Sequence, residues 1–223
     1  MRSKGIRVAN KTVNRLMKEN GLAAKLVIKG KRDYSKSKTS NFESNILAID
    51  LSPCKPNASW VSDVTAIKIN NHFFHVCVVL DLFSRAVVDF HTSSCNNTNL
   101  ITNAFRHAYD SRNEPKDLLF HSDQGSNYMS HEFTGLLNIL GVTKSISRKG
   151  NPYDNACMES LFSHMKAEET KRRDYQTYQE LKESIINYIK FYNEQRPHKS
   201  LGYLTPLQYE EKYHKDCEFK TSA

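Results

Sequence analysis

The sequence predicts an α/β domain built on five strands, and three observations predict it. Residues 61–69, 72–80 and 86–91 are closely spaced apolar, β-branched runs, the mark of an antiparallel meander. From residue 98 onward, stretches of helical periodicity alternate with short apolar runs, which argues α/β. A hydrophobic content of 39% over 223 residues is enough for one packed core with a small appendage.

Residues 10–20, N-K-T-V-N-R-L-M-K-E-N, read as a helix with Val13, Leu16 and Met17 on one face. Asn10 is its expected cap and Gly21 its stop. Residues 29–59 are Lys/Ser-rich and then Pro-bearing, a linker composition. The reading is therefore a basic helical segment with linker over 1–47, a main domain over 48–213 and a frayed tail over 214–223.

Asn70-Asn71 is a tight hairpin signal between the first two strands, and D-L-F-S-R at 81–85 turns into the third. A helix is expected over 98–112, with Leu100, Ile101, Ala104, Phe105 and Ala108 as its apolar stripe. Residues 118–121 form a fourth strand running into Asp123, and 131–140 a helix closed by Gly141. Residues 142–147 make the fifth strand, and 148–153, R-K-G-N-P-Y, a polar Gly/Pro loop. The next helix starts at Asp154 and Asn155. Met158, Leu161 and Met165 form its apolar stripe, while Asn155, Glu159, Phe162 or Ser163, and Lys166 share another side. In the last helix, 177–193, Tyr178, Leu181, Ile185, Tyr188, Ile189 and Tyr192 suit a core or dimer face better than a base-stacking platform.

Charge separates the two parts of the chain. Of the net +8, residues 1–47 carry 12 Lys/Arg against 3 Asp/Glu, while 48–223 carry 20 against 21. A basic segment of this kind serves either a phosphate backbone or nothing more than solvation. Lys31 and Arg32, with Lys29, Lys36 and Lys38, are the candidate backbone contacts in the linker. No run of eighteen apolar residues suits a membrane span and no signal peptide opens the chain, so the expectation is a cytoplasmic protein with no membrane partner. The five cysteines lack C-x-x-C or zinc-finger spacing, so they read as reduced, mostly buried thiols.

Three carboxylates stand out. Asp63 lies in the middle of the run W-V-S-D-V-T, Asp123 closes L-L-F-H-S-D-Q-G-S, and Glu159 sits in a helical stretch with Lys166 seven residues later. Two strand aspartates and a helix glutamate are suited to a hard divalent cation. Asp81 reads as a turn cap and Asp89 as an outward-facing strand residue, and neither joins this set.

The ordered set S-D-V-T, H-S-D-Q-G-S and S-R-K-G-N-x-Y-D-N-A-x-x-E-S resembles the insertion-sequence DDE transposases of the retroviral-integrase-like superfamily. So does the tail Y-N-E-Q-R-P-H-K-S-L-G-Y-L-T-P, and the likeness spans about residues 8–211. The resemblance implies a ribonuclease H-like mixed five-stranded sheet flanked by helices. It also implies that residues 10–20 are the remnant of a helix-turn-helix. Asp63, Asp123 and Glu159 would be catalytic ligands of two Mg²⁺ ions, with Mn²⁺ able to substitute. Lys166, Arg148, Lys149 and Asn155 would contact DNA. The implied reaction is cleavage and strand transfer at the terminal inverted repeats of a mobile element in bacteria, joining them to target DNA. Its implied partners are a second copy of the chain and a helix-turn-helix protein encoded upstream. Two other readings stay open: a metal-dependent nuclease without joining activity, and a truncated DNA-binding remnant.

Overall fold

The computed structural model describes residues 8–23, 53–147 and 156–221. The chain divides into two compact units, 1–44 and 45–223. In the first, helix α1 spans Asn10–Glu19. Its cap is Ala9, whose extended backbone offers its carbonyl to the Thr12 and Val13 amides, so Asn10 is the first helical residue and not the expected cap. Gly21 ends the helix at φ +64°, and the Leu22 amide reaches back to the Met17 carbonyl at 2.8 Å.

The second unit is built on a five-stranded sheet: β1 (Ser59–Ile69), β2 (His72–Asp81), β3 (Val87–Ser93), β4 (Leu119–Ser122) and β5 (Thr143–Ile146). Their order is β3-β2-β1-β4-β5, so β1 is central. The three N-terminal strands pair antiparallel, whereas β1/β4 and β4/β5 pair parallel. Asn70 and Asn71 both take positive φ, 45° and 66°, which lets a two-residue turn match the strand twist. At the outer edge Val79 pairs with Asp89 and Leu80 with Val87, leaving Val88 as a bulge.

Alternating side chains put the two faces of the sheet into separate cores. Trp60, Cys77, Val79 and Phe120 pack under α2 (Thr98–Ser111) and α3 (His131–Ile139). Phe105 is the hub there, with ring centroids 5.1 Å from Phe120, 5.8 Å from Phe133 and 6.5 Å from Trp60. Val61, Val76, Val78 and Leu80 pack on the other face under α4 (Ala156–Met165) and α5 (Tyr178–Glu194). Leu181, Ile185, Tyr188 and Tyr192 lie in this second core, so the α5 stripe is core. Phe162 is buried there as well, although helical spacing alone grouped it with Glu159 and Lys166.

Two expectations are corrected. Helix α6 (Pro206–Thr221) occupies the segment read as a frayed tail. Its start is a reciprocal capping box: the Gln208 amide donates to Thr205 Oγ1 at 3.3 Å, and the Thr205 amide to Gln208 Oε1 at 3.1 Å. The thiols are not joined in disulfides, but only Cys77 is buried, while Cys157 is half-buried and Cys54, Cys95 and Cys217 are exposed. Cys95 sits in a turn before α2 and Cys217 on the outer part of α6, where no second layer covers them.

Helix α6 is tied to the domain through polar groups. Arg112, at the end of α2, donates to both oxygens of Glu210, at 2.9 and 3.1 Å, and Ser84 Oγ donates to Glu210 Oε1 at 2.6 Å. Asp81 lies beside them and accepts from the Asn57, Phe83 and Ser84 amides, the turn-capping role expected of it. Burial pushes its carboxyl above the usual carboxylate range, against the pull of those amides. Replacing Arg112 with Met leaves the Glu210 carboxylate without its guanidinium and should lower unfolding stability by about 3 kcal/mol in urea titration. The double variant R112M/E210L should recover most of that loss.

Candidate active site on the central strands

Asp63 stands halfway along β1, opposite Val78 of β2, and is half-buried. Odd-numbered β1 residues such as Val61 and Ile67 belong to the core under α4 and α5, so Asp63 shares that face of the sheet. Its Oδ1 accepts the amide of Val64 at 2.7 Å.

Parallel pairing sets Val61 against His121, and two residues further along each chain are Asp63 and Asp123. β4 ends at Ser122, so Asp123 is the first residue beyond the strand and is half-buried. Its side chain turns back on its own loop, Oδ1 accepting the Gly125 amide at 2.8 Å. A Cβ at residue 125 would lie 2.8 Å from that same oxygen, so a side chain there would push the Asp123 carboxylate from its place.

Glu159 occupies the first turn of α4, exposed, at the margin of the Met158–Leu161–Phe162–Met165 stripe that packs on the sheet. A negative charge is favourable near a helix N-terminus. Asp63, Asp123 and Glu159 therefore belong to one side of the sheet, two by strand register and one by the helix that covers it. Among the described residues, no three His, Cys, Asp or Glu side chains come close enough together to hold a metal.

Lys166 begins a π-helical turn, Lys166–Thr170, directly after α4. Burial and the nearby Lys171 lower its pKa, and Asp63 acts in the opposite direction, so its ammonium sits within the field of that carboxylate. The turn is held by its two acids. Glu168 accepts from Arg196 Nη2 at 2.8 Å and from Tyr188 OH at 3.1 Å, and Glu169 pairs with Arg173 at 3.0 Å. Arg196 is thus engaged with Glu168, which also raises its pKa. Arg148, Lys149, Asn155, Lys31 and Arg32 lie outside the described residues.

Sequence reasoning passed over the groups that hold the Asp123 loop. His121 is fully buried between two hydroxyls of the neighbouring segment, Nδ1 to Ser145 Oγ and Nε2 to Ser147 Oγ, both 3.0 Å. Gln124 Nε2 donates to the Ser147 carbonyl at 3.2 Å. Tyr128 is buried against Ser62, the neighbour of Asp63 in β1. The signal available was a tyrosine and a histidine flanking a short polar turn, which periodicity does not score.

The chain matches models of the integrase core domain over residues 53–152 and 140–206. It is 33% identical over 207 residues to the transposase for insertion sequence element IS904 of Lactococcus lactis, covering 92% of this chain and 82% of that one. It is 32% identical over 205 residues to InsK of insertion sequence element IS150 of Escherichia coli, covering 92% and 72%. Among solved structures it is similar to the integrase catalytic core domain of HTLV-2 in complex with magnesium, with a TM-score of 0.58 and 20% identity over 70% of this chain and 98% of that one. A simian T-cell lymphotropic virus intasome chain gives a TM-score of 0.63 at 18% identity, over 71% of this chain and 56% of that one. These two likenesses establish the ribonuclease H-like fold. With sheet order, domain match and curated relatives in agreement, the chain belongs to the insertion-sequence transposases that carry an integrase core domain.

Proposed function

We propose that this chain cleaves DNA at the ends of its mobile element and transfers those ends to target DNA, using a divalent cation held by Asp63, Asp123 and Glu159. The observation that carries the reading is the register of β1 and β4, which puts Asp63 on β1 level with Asp123, the first residue past β4, on the face covered by the helix that bears Glu159. The donor set fits a hard cation such as Mg²⁺, or Mn²⁺ in its place: carboxylate oxygens only, two half-buried and one exposed. Two such ions would activate the attacking oxygen and neutralise charge on the reacting phosphate.

The chain's own part is positioning. Backbone amides hold one oxygen of Asp63 and one of Asp123, which fixes the plane of each carboxylate. Glu159 would complete the set by side-chain movement from the first turn of α4. Lys166, at the end of α4, would hold a phosphate of the bound strand, and Arg148, Lys149 and Asn155 would extend that grip. Lys31 and Arg32 would follow the backbone further out. In-line displacement at phosphorus asks for alignment and charge neutralisation, so no protein nucleophile is required. Water would serve as nucleophile for cleavage and the released 3′-hydroxyl for joining. Bringing two element ends together calls for at least a dimer, and recognition of the terminal repeats for a helix-turn-helix partner. The magnesium and the intasome in the names of the similar viral proteins are compatible with this reading.

The test is Mg²⁺-dependent joining with DNA from the element's own ends. The natural chain should give joined products. Glu159→Gln and Asp123→Asn should reduce both cleavage and joining by about 10²–10³-fold or more, with DNA binding retained in a gel-shift assay. Full activity in either variant would sink the assignment, and nicking without joining would favour a nuclease. Lys166→Gln should lower the slope of log affinity against log salt by about one. An unchanged slope would remove Lys166 from the phosphate contacts.

A further inference from the structure

We propose that Tyr128 is a positioning residue: its hydroxyl, bonded to Ser62, ties the loop that carries Asp123 to the strand that carries Asp63. The inference rests on the carboxylate reading above and adds the part that sets the spacing of the two aspartates.

The need for such a tie comes from the topology. β4 lasts only four residues and stops at Ser122, so no ladder hydrogen bond of the strand reaches Asp123. Its Oδ1 bond to the Gly125 amide is internal to the loop and leaves the loop's place relative to β1 undetermined. Five residues on, Tyr128 enters the core on the opposite face of the sheet and meets Ser62 Oγ at 2.7 Å. Ser62 precedes Asp63, and by strand alternation it points away from the carboxylate face. One strand residue is therefore held from below while its neighbour presents its carboxylate above.

The surroundings leave the pair little freedom. Ser62 is 0% and Tyr128 2% exposed. The tyrosine ring packs at 5.9 Å from Phe133 and 6.5 Å from Phe120. Cys77 Sγ stands 3.4 Å from Ser62 Oγ and 3.7 Å from Tyr128 OH. Burial keeps the phenol and the thiol in their neutral forms, the thiol pushed up to about 11. The backbone at Tyr128 is fixed from the far side, where Lys144 Nζ donates to its carbonyl at 2.7 Å and to Thr134 Oγ1 at 2.9 Å. The turn between them is closely packed: the Gly125 amide holds Asp123 Oδ1 at 2.8 Å, and a Cβ at 125 would lie 3.5 Å from the Tyr128 ring. A shift of Tyr128 is thereby passed to Asp123 through one tight turn. Phenylalanine would fill the same space, so packing explains the ring and leaves the hydroxyl to the tie.

The readout is Mn²⁺ affinity of the full chain, measured by calorimetric titration beside thermal unfolding. Tyr128→Phe and Ser62→Ala should each weaken Mn²⁺ binding about 10-fold, the lower end for groups that orient metal ligands. The double variant should be no weaker than either single one, because both remove the same bond. Joining activity lost at low metal should return at high metal. Affinity equal to that of the natural chain in either single variant would overturn the proposal, even if the melting temperature falls. Additive losses in the double variant would overturn it too. Asp123→Asn separates the two levels of inference. If it binds Mn²⁺ as the natural chain does, or if the natural chain binds none, the carboxylate reading fails and takes this inference with it. If Asp123→Asn loses binding and Tyr128→Phe does not, only the tie fails.

Discussion

The parallel pairing of β1 with β4 is the constraint on which the rest of the second unit depends. It joins an antiparallel meander to a parallel α/β half, and it makes β1 central, buried on both faces for its first four residues. It also sets the register of the two aspartates. A slip of one residue would turn Asp63 into the core under α2 and α3 and bring Ser62 up to the carboxylate face. That slip would bury a carboxylate in the apolar core of Phe105, Phe120 and Phe133, a costly place for an unpaired charge. The two cores on either side therefore fix the face that Asp63 occupies as well as stabilise the fold.

The second face shows how the site's helical half is held. Helix α4 is anchored by Met158, Leu161, Phe162 and Met165, but its continuation is a π turn whose Glu168 and Glu169 reach α5, Arg173 and Arg196. π turns interrupt the regular helical ladder and are often found at functional positions. Here the turn opens with Lys166, close enough to Asp63 for each to feel the other's charge. Burial disfavours the ammonium and Asp63 favours it, an arrangement in which an approaching phosphate would strengthen the charged form.

Much of this was legible in the chain. The Asn70-Asn71 turn, the α2 stripe, the α5 stripe and the Gly141 stop follow from periodicity and turn chemistry, which act over a few residues. Helix α6 was missed because its outer half carries no apolar stripe, yet T-P-L-Q at 205–208 is a capping box with proline at the first helical position. The Arg196–Glu168 pair was not legible, because nothing local shows that two residues 28 apart face each other. Tyr128 and Ser62 were invisible for the same reason: 66 residues separate them in the chain.

By itself, then, the sequence determined the five strands and the helices between them, their order, the carboxylates worth attention and the family that their spacing resembles, because propensity, periodicity and motif spacing are properties of neighbouring residues. Tertiary structure alone decided which face Asp63 occupies, that it stands level with Asp123, that Glu159 belongs to the helix covering that face and that a buried hydroxyl pair lies beneath them. Those facts depend on strand register and on which helix covers which face, and both are settled by burial summed over the whole domain rather than by any local stretch.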